Sequence, residues 1–68
     1  MNQASKKLGQ NIKRIRTERK MSQGDIIRTT GMDRGYVSSV ENGKQNPTIA
    51  TIQKFAKVLG VSIDELMK

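Results

Sequence analysis

The sequence predicts an all-α domain, a compact five-helix bundle built around a helix-turn-helix. Three observations lead there. Apolar residues recur at three- and four-residue spacing, as they do along one face of a helix. Hydroxyl and carboxylate residues that cap helix starts alternate with glycines that end helices. No segment alternates apolar and polar residues for long, and Tyr36 and Phe55 are the only aromatic residues.

The first helix is expected from about Lys6 to Lys20. Leu8, Ile12 and Ile15 fall at i, i+4 and i+7, with Lys13, Arg14 and Lys20 largely on the other faces. Met21 then breaks the pattern. Ser22 is an N-cap residue, and Asp25 follows in the first turn, near the positive helix end. Helix two runs to Thr30 with Ile26 and Ile27 inward, and Gly31 closes it. Asp33 caps helix three, Arg34 to Glu41, where Val37 and Val40 form an apolar stripe. Asn42-Gly43 stops it. Thr48 caps helix four, which carries Ile49, Ile52, Phe55, Ala56 and Leu59 as its stripe and ends at Gly60. Ser62 and Glu65 fit the capping box of a short fifth helix bearing Ile63, Leu66 and Met67. Helices this short are not stable alone, so each depends on packing. The domain is expected over residues 8–67, with 1–7 a flexible basic segment and the helix-turn-helix at about 22–42.

Composition narrows the chemistry. The chain has 68 residues, one domain near the lower size limit for independent folding. It has no cysteine and no histidine, which excludes disulfides, Cys- or His-based metal sites and His-dependent catalysis. No cofactor and no enzyme activity are expected. No apolar run is long enough to cross a bilayer, and the start of the chain has no signal-peptide core. A cytoplasmic protein is expected. Thirteen Lys and Arg stand against six Asp and Glu. Residues 1–44 carry ten basic and four acidic side chains, and residues 45–68 carry three and two. A field so concentrated suits a polyanionic partner. Helix one lacks the aromatic-rich apolar face of a membrane anchor, so no membrane partner is expected.

Helices two and three, joined by a short turn at Gly31, have the dimensions of a DNA-binding helix-turn-helix. The residues along the chain extend the likeness. They run Ile12-Lys13-Arg14-Ile15-Arg16, Ser22-Gln23, Gly31, Tyr36-Val37-Ser38, Glu41-Asn42-Gly43-Lys44, Pro47-Thr48-Ile49 and Leu59-Gly60-Val61-Ser62-Ile63-Asp64-Glu65-Leu66. In this order and spacing the chain resembles the Cro/C1-type (XRE-like) helix-turn-helix family, with the lambda-repressor-like fold. Asp33-Arg34-Gly35-Tyr36 is also similar to the controller proteins of restriction–modification systems. Ile27, Thr30 and Gly24 depart from the family pattern, which has a small, an apolar and a better helix-forming residue there.

The resemblance implies roles for individual residues. Arg34, Gly35, Tyr36, Ser38 and Ser39 would face DNA bases from helix three. Arg34 suits a bidentate bond to guanine, and serine is a less selective donor or acceptor. Gly35 would let the backbone approach, and Tyr36 would touch a thymine methyl or a phosphate, or pack on the core. Gln23, Asn42, Lys44, Gln45 and Thr48 would hold phosphates, which fixes register without reading sequence. Gln23 would also brace the recognition helix; the alternative for it is an exposed polar side chain, and for the 42–48 loop a solvated turn. Arg16 and Glu41 would form an internal ion pair. Leu59, Val61, Ile63, Leu66 and Met67 exceed the apolar needs of so short a fifth helix and are expected at a dimer interface.

The expected function is a sequence-specific double-stranded DNA-binding regulator, a homodimeric repressor on a two-fold operator. Two alternatives stand beside it. One is an antitoxin of the same fold with a protein partner. The other is an interaction module that does not bind DNA.

Overall fold

The structure, a computed structural model, describes residues 3–68. Five helices follow in order: α1 (Gln3–Glu18), α2 (Gln23–Thr30), α3 (Arg34–Glu41), α4 (Ile49–Leu59) and α5 (Ile63–Met67). No strand occurs among the described residues. α3 packs against α1 and α2, and α5 packs against α1 and α4. One core joins all five helices. It contains Leu8, Ile12 and Ile15 of α1, Ile26 of α2, Val37 and Val40 of α3, Ile52, Phe55, Ala56 and Leu59 of α4, and Leu66 of α5.

Local chemistry sets most helix ends. Ser22 and Asp25 form a reciprocal capping box at α2, and Ser22 is in extended backbone. Asp33 and Thr48 accept from the backbone N–H groups of Tyr36 and Thr51. Ser62 and Glu65 make a second box at α5. Gly31 and Gly60 follow α2 and α4 in the left-handed conformation.

α1 departs from expectation at both ends. It begins at Gln3, so residues 3–7 are its first turns; Met1 and Asn2 lie outside the described residues. Packing explains the early start. Ser5 is buried, its hydroxyl 3.5 Å from Asn46 Oδ1, and Gly43 lies against the backbone of Lys6. α1 ends at Glu18, because Lys20 turns into the left-handed region at φ 58°. There the Met21 N–H reaches back to the Arg16 carbonyl at 3.0 Å, closing the turn.

Two apolar residues also differ. Ile49 was expected on the buried stripe of α4 but is 63% exposed, because the core on this helix starts only at Ile52. Ile27 is half-buried at the core edge, beside the fully buried Ile26.

Candidate nucleic-acid interface

α3 has two unlike faces. Val37, Val40 and Glu41 are buried. Arg34, Gly35 and Asn42 are exposed, and Ser38 and Ser39 are half-exposed. In a helix, positions 35, 38, 39 and 42 share one side, opposite 37 and 40, while 34 and 41 lie one above the other at the boundary between the two sides. Tyr36 falls between the faces and packs against the core, which supports its packing role over an open contact. The Arg34 side chain lies back toward the first turn of α2. A Cβ at Gly24 would be 3.7 Å from Arg34 Nη2 and 3.3 Å from Arg28 Nη1.

The expected phosphate-holding residues flank this face. Asn42 ends α3, and Lys44 and Gln45 are exposed in the loop that follows. Thr48 starts α4, where its hydroxyl accepts from the Thr51 N–H at 3.3 Å. Gln23 starts α2 and is half-buried. It is not a loose surface side chain, since its Nε2 donates to Glu41 Oε1 at 3.1 Å.

Behind the face sits the ion pair. Arg16 Nε donates to Glu41 Oε2 at 2.6 Å and Arg16 Nη2 to Glu41 Oε1 at 3.0 Å, a two-pronged contact. The side chains are 13% and 3% exposed. Glu41 holds the Arg16 guanidinium even more firmly in its charged form than usual. At the outer rim, Asp25 lies below the usual aspartate range, chiefly because it accepts from the Ser22 N–H, with the Arg28 cation adding to the effect.

Two contacts that no sequence feature had singled out brace the assembly. A Cβ at Gly9 would meet the carbonyl oxygens of Val40 and Glu41 at 2.3 and 2.7 Å. α1 therefore crosses the end of α3 backbone to backbone, and only glycine fits. The signal was available, since a mid-helix glycine costs about 1 kcal/mol and calls for a packing reason. Asn11 Nδ2 donates to the carbonyls of Leu66 and Lys68 at 2.7 and 3.0 Å, closing the end of α5.

The expected dimer residues divide. Leu59 and Leu66 are 1% and 0% exposed, so they belong to the protomer's own core and have no surface to give a partner. Their stripe fills the space between α1, α4 and α5 instead. Val61 and Ile63 are half-buried, and Met67 is 41% exposed.

A surface groove of about 610 Å3 opens between α2 and α4, over Met21 and Val58 and rimmed by Arg28, Lys54 and Lys57. It includes none of the expected contact residues. Among the described residues no group of three or more His, Cys, Asp or Glu could hold a metal ion. None of the described helices is long and apolar enough to cross a membrane.

The family model for the helix-turn-helix matches residues 12–66. The chain is 39% identical over 62 residues to y4dJ of Sinorhizobium fredii, an uncharacterized HTH-type transcriptional regulator, covering 91% of this chain and 80% of that one. It is similar to the crystal structure of the restriction-modification controller protein C.AhdI from Aeromonas hydrophila. There the TM-score is 0.84 at 36% identity, over 90% of this chain and 92% of that chain. The controller protein C.Esp1396I, as a tetramer in complex with its natural 35 base-pair operator, gives a TM-score of 0.84 at 32% identity, with all of both chains covered.

Proposed function

The chain belongs to the helix-turn-helix family, and from that premise we propose that it is a sequence-specific DNA-binding transcriptional regulator, a homodimer on a two-fold operator in the cytoplasm. The observation that carries this is the polar outward face of α3, where Arg34 and Gly35 are exposed and Ser38 and Ser39 half-exposed. α3 enters the major groove with Arg34, Gly35, Ser38 and Ser39 toward the bases. Arg34 swings out from α2 to guanine, and Tyr36 serves mainly to pack α3 against the core. Gln23 at the start of α2 and Asn42, Lys44, Gln45 and Thr48 before α4 hold phosphates on either side. With no side chain at 35, the backbone of α3 approaches closely.

The dimer contact is drawn from Val61, Ile63 and Met67 rather than the buried leucines. Exposed Ile49 adds apolar surface on α4. C.Esp1396I assembles on operator DNA as a tetramer, which supports an oligomeric regulator here. Repression follows from occupying a promoter.

Selection of binding sites from randomised duplex tests the reading. The expected product is an inverted repeat with half-sites about 34–36 Å apart. A selection that enriches no sequence contradicts it and favours a protein-binding module.

A further inference from the structure

Resting on the DNA-binding reading above, we infer that Glu41 is a positioning residue for the grip on the DNA backbone: its buried carboxylate sets which end of the Gln23 amide faces inward. Glu41 is on the inner face of α3 and touches no phosphate itself. Its carboxylate takes three donors. Two come from Arg16, at 2.6 and 3.0 Å, and the third is Gln23 Nε2 at 3.1 Å. The same arginine donates from Nη1 to the Met21 carbonyl at 2.8 Å, just ahead of the α2 cap. One carboxylate thus ties the approach to α2, and the first residue of α2, to the last residue of α3.

A glutamine amide has two ends of opposite polarity, and a loose one presents either. An ionised carboxylate only accepts, so it selects the nitrogen end. One N–H of Gln23 is spent on Glu41. The other N–H of the same nitrogen is left for a phosphate, together with first-turn backbone N–H groups. The Ser22 N–H is not among them, because Asp25 Oδ2 takes it at 2.8 Å. Arg16 offsets the charge of Glu41, so the carboxylate orders the amide without repelling the DNA. Gln23 is therefore arranged before DNA arrives, which lowers the entropy lost on binding.

The substitution Glu41→Gln keeps the shape and removes the selection, because an amide at 41 donates as well as accepts. Charge alone predicts tighter DNA binding, since an acidic group leaves a basic protein. Positioning predicts the opposite, a loss of roughly three- to tenfold per protomer, the worth of one hydrogen bond. Fluorescence anisotropy on a duplex taken from site selection compares wild type, Glu41→Gln, Gln23→Ala and the double variant, each shown folded by circular dichroism. Glu41→Gln should weaken binding in the presence of Gln23 and cause no loss in the Gln23→Ala background, where only the effect of charge remains. Equal losses in both backgrounds, or tighter binding with Gln23 present, overturn the inference. If Glu41→Gln does not fold, the wild-type protein without DNA decides. The side-chain amide protons of Gln23 should exchange slowly in NMR, and exchange at the rate of an unstructured glutamine overturns it. Wild-type protein with no salt-dependent DNA binding brings down the DNA-binding reading itself, whereas normal wild-type binding without coupling removes this inference alone.

Discussion

The two faces of α3 are built from different chemistry. The inner face is shut: Val37 and Val40 are fully buried, Glu41 is locked to Arg16, and the helix end lies against Gly9 with no room for a methyl group. The outer face is open: Arg34 and Gly35 are exposed and Ser38 and Ser39 half-exposed, and among the described residues the side chains of Arg34, Ser38 and Ser39 make no hydrogen bond to the rest of the protomer. Substitutions on one helix should therefore separate into those that unfold the domain and those that alter only what it binds. In a domain this small the separation is sharp, since total stability is on the order of 5–10 kcal/mol.

The largest break should come from Glu41→Ala. It strands Arg16 behind the helix and is expected to cost roughly 3–5 kcal/mol in urea denaturation. Replacing Arg16 and Glu41 together with apolar residues should cost less than either single change, because no charge is left alone. A neutral Glu41→Ala would mean that the inner face is not shut. Gly9→Ala comes next. Its methyl group would meet backbone oxygens, which cannot turn aside, so about 1–3 kcal/mol should be lost despite the better helix propensity of alanine. A stabilised Gly9→Ala protein would show that α1 and α3 can separate.

The smallest effect belongs to Asp25, at the exposed start of α2. Its carboxyl is held below the usual range, so the charged form favours the folded state. That contribution is complete above the ordinary aspartate value of about 3.9, and it is lost as pH falls through the lower folded-state value. Melting temperatures of wild type and Asp25→Asn should therefore converge in acid. A constant gap down to the lowest pH would contradict this origin.

How much could be read from the sequence follows from how far each determinant reaches. The starts of α2, α3, α4 and α5 were legible because each cap lies within three residues of the groups it satisfies, as Ser22 does with Asp25. The stops at Gly31 and Gly60 were legible for the same reason. The start of α1 was not, because Ser5 and Lys6 are held by Asn46 and Gly43, some forty residues away. Asn11 looks like any surface polar residue until the end of α5 is brought to it. Leu59 and Leu66 carried a correct apolar signal, but periodicity does not distinguish a protomer's own core from a partner's surface. Ile49 failed the other way, since the stripe it continues runs past the end of the core. The Arg16–Glu41 pair and a bracing role for Gln23 came from family resemblance; that Gln23 braces through Glu41 required the structure.

If the outer face of α3 reads bases while the loop after it only holds the backbone, substitutions in the two places have different consequences on DNA. The most direct measurement is an affinity series over salt concentration for Arg34→Ala and Lys44→Ala, on a selected duplex, a single-base variant and random DNA. Arg34→Ala should lose about 1–3 kcal/mol of discrimination at one base pair per half-site, with unchanged stability. Lys44→Ala should weaken all three complexes alike and lower the salt slope by about 0.9 per phosphate released. If Arg34→Ala instead lost affinity uniformly on all three duplexes, Arg34 would be a phosphate contact and would not read a base from the outer face of α3.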